Sequence, residues 1–265
     1  MWLKKTDVVC ITGGASGLGA ELAREFSSRG CAVAVIDIIR PALADLVPTV
    51  RYLSADVRDL DAMTACAGTI ADELGTVTVL INNAAVRRPW TPILYEDVAD
   101  MQCVLDVNLM GVLLTTKLFL TGMTLRERGT IVFVSSALSM QSPAGLATYG
   151  ASKAGLVGIY ESITGEFSAN EHIKTLLVCP GQLDTEMFGD ITTPSRLIAP
   201  VVNKTALAKR IVLRVEKGGE GFLYTPFYVH FLPVMRIVPY TISRRLRKLS
   251  GMDDVHPGQR TRDYT

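Results

Sequence analysis

Residues 12–19 of the chain read TGGASGLG and follow DVVCIT (7–12), an apolar run typical of a buried strand. Apolar residues at helical spacing come directly after it. In such a turn Gly13 permits a sharp change of direction, Gly17 lets the backbone approach a pyrophosphate, and Gly19 lets the helix pack closely on the strand. A glycine-rich turn alone also suits a flexible surface loop, but its place between strand and helix predicts a dinucleotide-binding unit.

Strand-like and helix-like segments alternate along the whole chain. The strand-like runs are DVVCIT (7–12), AVAVID (32–37), RYLSAD (51–56), VTVLIN (77–82), TIVFVS (130–135), IKTLLV (173–178) and the weaker GFLY (221–224). Apolar residues at helical spacing occur in 18–30, 61–74, 95–119 and 149–167. Because this alternation is typical of a parallel sheet covered on both faces, the sequence predicts a single α/β domain.

Composition excludes several classes of function. The chain of 265 residues is 48% apolar and 20% charged, as in a globular protein, and its net charge of +1 gives no electrostatic indication of nucleic-acid binding. Its five cysteines form no CxxC pair, which indicates buried thiols in a reducing compartment, so we expect a cytoplasmic protein. The three histidines lack metal-ligand spacing, and no metal site is expected.

Asp37 ends the second strand-like run and bears on the choice of dinucleotide. A carboxylate there can accept hydrogen bonds from the adenosine ribose hydroxyls. A 2′-phosphate would instead meet like charge, a repulsion of about 4 kcal/mol at ~4 Å and an effective dielectric of ~20, before solvent screening. Arg40 is the nearby cation that could reverse it. The sequence therefore predicts NAD, with NADP as the less favoured alternative.

A series of motifs follows the glycine turn in order. Asp56 ends the third strand-like run, and the later motifs are NNAA (82–85), VNLMG (107–111), SS (135–136), YGASK (149–153) and PGQLDT (180–185). Together with the TGxxxGxG turn, they resemble the short-chain dehydrogenase/reductase family over roughly residues 6 to 185. The resemblance implies one doubly wound Rossmann domain, with a parallel seven-stranded sheet in the order 3-2-1-4-5-6-7.

The resemblance also implies the site residues. The catalytic set is Asn108, Ser136, Tyr149 and Lys153. The expected cofactor contacts are Gly13, Ser16, Gly17, Leu18, Gly19, Asp37, Asp56, Val57, Asn83, Tyr149, Lys153, Pro180, Gly181 and Thr185. Thr185 would bind the nicotinamide carboxamide, although a helix-cap role suits a threonine equally.

Each catalytic residue has an implied task. Tyr149 exchanges a proton with the substrate, and Ser136 hydrogen-bonds the substrate oxygen. Lys153 holds the nicotinamide ribose, and Asn108 anchors a water that leads to Lys153. Tyr149 and Lys153 are four residues apart on one helix face, which at random is most often a solvated face. In a partly desolvated site, a cation at ~5 Å would lower the pKa of a phenol by about 2 units.

Two departures from the family pattern concern small residues. Ala85 replaces the usual glycine of the NNAG motif and adds one methyl group beside the cofactor. Ser135, Ser136 and Ser139 all compete for the serine role. Ser136 is preferred because it lies thirteen residues before Tyr149, the family's usual spacing, and Ser135 is expected to be a structural hydroxyl.

The substrate side is expected to be apolar. The segment 137–147 and the loop 183–203 would form its wall, and no arginine cluster there suggests a phosphate or carboxylate substrate. The candidate substrate contacts are Leu138, Met140, Leu146, Met187 and Phe188. We therefore expect a hydrophobic secondary alcohol or ketone, such as a steroid, a retinoid or another lipid-like molecule.

The last forty residues are predicted to be an appendage (226–265) to the catalytic domain (1–225). They loosely resemble the C-termini of retinol and 17β-hydroxysteroid dehydrogenases. Phe227, Phe231 and Leu232 are expected to cover the substrate pocket. The basic cluster, with apolar residues at helical spacing, is expected to touch an anionic membrane or lipid-droplet surface; it comprises Arg244, Arg245, Arg247 and Lys248.

Other interpretations of the sequence remain. The chain could be a secondary-metabolite ketoreductase or dehydrogenase of the same family, or a dinucleotide-binding protein without catalytic activity. The retention of all four catalytic residues favours an enzyme. The helical segments 109–120 and 149–167 resemble the family's dimer-forming faces, so a homodimer or homotetramer is expected, with ordinary core packing as the alternative for the first.

Overall fold

The computed structural model describes residues 2–189 and 199–253. Its strands are β1 (Val8–Thr12), β2 (Ala32–Asp37), β3 (Val50–Ser54), β4 (Val77–Asn82), β5 (Gly129–Val134), β6 (Ile173–Pro180) and β7 (Gly221–Thr225). They form a parallel sheet in the order β3-β2-β1-β4-β5-β6-β7. The predicted seven-stranded sheet and its order are confirmed.

Helices cover both faces of the sheet. They are α1 (Gly17–Ser28), α2 (Leu60–Glu73), α3 (Val98–Leu105), α4 (Gly111–Leu125), α5 (Ala147–Glu166), α6 (Lys204–Glu216) and α7 (Tyr240–Ser250). The prediction of one helix over 95–119 was wrong in detail. A π-helical turn, Asp106–Met110, separates α3 from α4. Helix α6 was not predicted.

Alternate residues of each strand belong to cores on opposite faces. In β1, Val8 and Cys10 belong to the core beneath α2, α4 and α5, whereas Val9 and Ile11 belong to the core beneath α1 and α6. The run from Val98 to Leu125 is long and apolar enough to cross a membrane by composition alone. It nevertheless contributes buried side chains to the first core, as the central helix of a doubly wound fold does.

The chain after β7 lies against the loop that follows β5. It forms a 3-10 run, Phe227–Arg236, and then α7. The guanidinium of Arg236 donates to the Ser139 carbonyl oxygen at 2.8 Å. That of Arg247 donates to the side-chain oxygen of Gln141 and to the Ser142 carbonyl oxygen, both at 3.0 Å. Two arginines thus attach the C-terminal segment to the predicted substrate loop.

The expected aromatic cover over the pocket is not formed. Phe227 is 75% exposed and Phe231 is 57% exposed, although Leu232 is partly buried against the core. Arg247 is half-buried and also pairs with Asp253, so it does not belong to the solvent-facing basic cluster predicted for it. The proposed boundary between 225 and 226 stays a prediction.

Candidate active site

A cavity of about 580 Å³ lies at the carboxyl ends of the strands. Open parallel sheets bind ligands at this edge, because the loops that follow neighbouring strands lie close together there. All the residues predicted to bind the cofactor line it except Gly19. They are Gly13, Ser16, Gly17, Leu18, Asp37, Asp56, Val57, Asn83, Tyr149, Lys153, Pro180, Gly181 and Thr185.

The glycines of the first turn are required by their surroundings. Gly13 has a φ of 65°, and a Cβ there would lie 2.6 Å from the Cα of Ala84. A Cβ on Gly19 would collide with the carbonyl oxygen of Gly13. Gly17, with a φ of 54°, faces Thr185 across the cavity. These contacts leave a shallow backbone cradle at the N-terminus of α1, which fits a pyrophosphate.

The end of the cavity near β2 and β3 carries two carboxylates. The Asp37 carboxylate accepts from the backbone N–H groups of Ala15 at 2.9 Å and Ile39 at 3.0 Å, so its orientation is fixed. Asp56 is paired with Arg58 at 2.6 Å, and this hydrogen bond holds the pKa of Asp56 below its ordinary value. Both carboxylates face the same cavity, as binding of an adenosine would require.

Asn83 supports the glycine turn from below. Its side-chain amide donates to the carbonyl oxygens of Gly13 at 2.7 Å and Thr12 at 3.2 Å. Its backbone N–H donates to the Thr12 hydroxyl at 3.2 Å. Although Asn83 lines the cavity, its amide nitrogen is committed to the protein. Ala85, which stands where the family's NNAG motif has glycine, also lines the cavity.

Tyr149 and Lys153 are buried neighbours on α5. The Lys153 Nζ lies 5.8 Å from the centre of the Tyr149 ring and donates to the Val134 carbonyl oxygen at 3.0 Å. Both side chains line the cavity. The predicted pair is therefore brought together at the end of the cavity away from Asp37, with the lysine held by the end of β5.

Burial controls the ionisation of this pair. It raises the pKa of the Tyr149 phenol, and the Arg87 guanidinium and the Ser136 hydroxyl oppose it by less. Burial also lowers the pKa of Lys153, to about 8. The expectation that Lys153 would lower the pKa of Tyr149 is thus not met, because the desolvation of two buried groups outweighs their attraction.

The three candidate serines have different surroundings. The Ser135 hydroxyl donates to the Lys153 carbonyl oxygen at 2.9 Å, and the Ser139 hydroxyl donates to the Ser136 carbonyl oxygen at 2.6 Å. The Ser136 hydroxyl accepts from the Leu138 N–H at 3.1 Å, hydrogen-bonds the Tyr149 phenol and lines the cavity. Ser136 is thus the serine suited to contact a substrate oxygen.

Asn108 lies in the π-helical turn and is fully buried. Its side-chain oxygen accepts from the Val86 N–H at 2.7 Å. Its amide nitrogen donates to the Val86 carbonyl oxygen at 2.9 Å and to the Ser152 hydroxyl at 3.1 Å. The side chain thus holds the loop after β4 against α5. The anchoring of a water toward Lys153 stays a prediction.

Arg87 is a site residue that the sequence analysis missed. Its Nε and one Nη donate to the Met187 carbonyl oxygen at 2.9 and 2.6 Å, and its guanidinium lies 5.5 Å from the centre of the Phe188 ring. Phe188 in turn packs edge-on against Tyr149 at 6.1 Å. Arg87 thereby joins the loops after β4 and β6 beside Tyr149.

The sequence contained a signal for this arginine. Arg87 and Arg88 follow the NNAA motif within three residues, and Arg88 lines the cavity. The sequence analysis expected no cluster of arginines on the substrate side and did not predict Arg87 or Arg88 at the site. A search for clustered cations overlooks a single arginine in a loop that begins at the carboxyl end of a strand.

The predicted substrate contacts divide into two groups. Met187 and Phe188 line the cavity. Within the described residues, Leu138, Met140 and Leu146 are not part of its lining: Leu146 is buried, and Met140 packs against the core. Lys204, at the start of α6, lines the cavity and was not predicted. No group of three or more potential metal ligands occurs in the part of the chain that the structure describes.

Comparison with known proteins agrees with the geometry. A structure of a short chain dehydrogenase from Burkholderia cenocepacia J2315 in complex with NADP has a TM-score of 0.77 over 93% of this chain and 98% of that chain, at 24% identity. That likeness shows the fold.

The sequence comparisons identify the family of the chain as well as its fold. An uncharacterized oxidoreductase of Saccharomyces cerevisiae is 33% identical over 261 residues, 96% of this chain and 84% of the yeast protein. Human epidermal retinol dehydrogenase 2 is 30% identical over 242 residues, 87% of this chain and 77% of that protein. The family described as short chain dehydrogenase matches residues 7–195. The chain belongs to the short-chain dehydrogenase/reductase family of oxidoreductases.

Proposed function

We propose that the protein is an NAD-dependent dehydrogenase that transfers a hydride between the cofactor and a hydrophobic secondary alcohol or ketone. The observation that carries this proposal is one continuous cavity. Its lining includes the glycine turn and Asp37, and also Ser136, Tyr149 and Lys153. A cavity that joins a dinucleotide cradle to a buried acid–base residue suits this chemistry.

The residues of the chain perform the proton side of the reaction. Nicotinamide, when bound, supplies the hydride chemistry. In alcohol oxidation, Tyr149 takes the hydroxyl proton of the substrate, and in ketone reduction it returns that proton to the substrate oxygen. Ser136 donates a hydrogen bond to the same oxygen and stabilises its developing negative charge. Lys153 holds the cofactor ribose and, when protonated, favours the ionised phenol.

The preference for NAD rests on Asp37. Its carboxylate is fixed by two backbone amides and faces the cavity, where it would accept from ribose hydroxyls and repel a 2′-phosphate. Arg40, the cation that could reverse this repulsion, is exposed and does not line the cavity among the described residues. The Burkholderia protein binds NADP, but its likeness to this chain concerns the fold alone.

A hydrophobic substrate is supported by the wall beside Tyr149. Met187 and Phe188 line the cavity there, and Phe188 contacts the tyrosine ring. The guanidinium of Arg87 is engaged by the Met187 carbonyl oxygen and the Phe188 ring. A relative is named as a retinol dehydrogenase, whose substrate is a lipid-like alcohol.

The test is a panel of retinoids, steroids and aliphatic secondary alcohols, followed by the absorbance of reduced cofactor with NAD and, separately, with NADP. We expect turnover with at least one lipid-like alcohol and higher kcat/KM with NAD. Tight NAD binding, measured by fluorescence titration, with no turnover of any alcohol or ketone would favour the catalytically silent alternative. Turnover restricted to small, charged alcohols would contradict the substrate class.

A further inference from the structure

Helix α7 attaches to the protein by its polar side. Its half-buried side chains are Ser243 and Arg247, and the remaining side chains of Tyr240–Ser250 are exposed. Arg247 makes the attachment through Gln141, Ser142 and Asp253. An amphipathic helix of a globular protein normally buries its apolar face instead.

The apolar face of α7 points away from the protein. Ile242, Leu246 and Leu249 are spaced four and three residues apart and therefore share one face. They are 50%, 43% and 83% exposed. The chain just before the helix adds more exposed apolar side chains, namely Phe227, Phe231, Val234 and Ile237. An apolar surface of this kind marks an interaction site.

The charge on the same helix identifies the partner. Arg244, Arg245 and Lys248 are exposed, and α7 contains no acidic residue. Within the described residues, none of the three takes part in an ion pair. Pairing two copies of α7 about a twofold axis would bring two such basic sets together, which like-charge repulsion disfavours. A partner that offers both an apolar layer and negative charge matches the apolar face and the cations of α7.

We propose that α7 docks onto an anionic phospholipid bilayer, with Ile242, Leu246 and Leu249 entering the interface and the three cations meeting lipid phosphates and carboxylates. Because Arg247 fixes α7 to the loop after Ser136, a docked bilayer lies next to that loop.

The experiment is sedimentation of the full chain with vesicles of phosphatidylcholine alone and of phosphatidylcholine mixed with phosphatidylserine, at low and high salt. We expect binding to the mixed vesicles that weakens as salt rises. The triple change Arg244→Gln, Arg245→Gln, Lys248→Gln should weaken binding on the order of a hundredfold. Leu249→Gln should weaken it about tenfold.

Matched controls separate α7 from general surface effects. The control triple variant removes three exposed cations from other helices and the turn after α4, through Lys117→Gln, Arg126→Gln and Lys209→Gln. The control for Leu249→Gln is Leu125→Gln, because both leucines are 83% exposed. Neither control should alter vesicle binding. All variants should keep the wild-type circular dichroism spectrum, because every changed side chain is exposed.

Three results would overturn the proposal. The first is failure of the full chain to bind the mixed vesicles at low salt. The second is equal weakening by the control triple and the α7 triple. The third is a Leu249→Gln protein that changes from dimer to monomer in light scattering while its vesicle binding is unchanged, which would show that a second copy covers this face.

Discussion

At the scale of single residues, Ser135 and Ser136 show how adjacent hydroxyls acquire different tasks. The Ser135 hydroxyl donates a hydrogen bond to the Lys153 carbonyl oxygen, whereas Ser136 faces the cavity beside Tyr149. Strand β5 ends at Val134, so the two side chains leave its end in different directions. The sequence spacing predicted Ser136, and the hydrogen bonds supply the physical reason.

This difference predicts opposite outcomes for two alanine variants. Ser136→Ala should lower kcat by about a hundredfold to a thousandfold, because the substrate oxygen loses a donor. Ser135→Ala should cost about 1 kcal/mol of folding free energy and change kcat much less. Steady-state kinetics and urea unfolding of both variants provide the comparison. A larger loss of kcat in the Ser135 variant would show that the serine role is misassigned.

Asp37 gives a second test at the same scale. Asp37→Ser should reduce the NAD-to-NADP ratio of kcat/KM by at least about tenfold, because the repulsion of the 2′-phosphate disappears. Arg40→Gln is the control and should leave the ratio unchanged, since Arg40 is exposed away from the cavity lining. A wild-type protein that uses both cofactors equally would contradict the role given to Asp37.

At the scale of elements, the strands followed from the sequence, whereas a π-helical turn and helix α6 did not. The strands were predictable because most of them are short, nearly continuous apolar runs, as in VTVLIN (77–82). The π-helical turn at Asp106–Met110 was not, because it leaves the apolar spacing of the flanking helices almost unchanged. Contacts made across the cavity, such as that of Arg87 with the Met187 carbonyl oxygen, depend on loop geometry that no local pattern encodes.

The attachment of α7 to the loop after β5 carries a prediction of its own. Arg247→Gln should raise KM for the alcohol about threefold to tenfold, with little change in NAD affinity, because the loop from Ser139 to Ala144 loses one of the two arginines that anchor it. Arg245→Gln removes the same charge from an exposed position of the helix and should not alter KM for a soluble alcohol. If the two variants behave alike, α7 does not support the substrate loop.

At the scale of the whole molecule, the position of the site follows from the sheet. Strand order reverses between β1 and β4, so the loops on either side separate and a cavity opens at the carboxyl edge. The glycine turn and the YGASK motif are far apart in sequence, yet this topology makes them line one cavity. For that reason motifs predicted the fold and most of the residues that line the cavity at the glycine turn, whereas three of the five candidate substrate contacts lie outside the cavity lining in the described residues.

The central claim is that Tyr149 exchanges the proton of the substrate, and the most direct measurement is the pH dependence of alcohol oxidation by the wild type and by Tyr149→Phe. Burial raises the pKa of Tyr149, so the wild-type kcat/KM for alcohol oxidation should increase with pH above neutrality as the small ionised fraction of the phenol grows, whereas ketone reduction, which uses the protonated phenol, should stay nearly constant over the same range. Tyr149→Phe should lower turnover by about a hundredfold to ten-thousandfold at every pH, with the NAD dissociation constant within about twofold of wild type. A folded Tyr149→Phe protein with near-wild-type turnover and an unchanged pH profile would contradict the account.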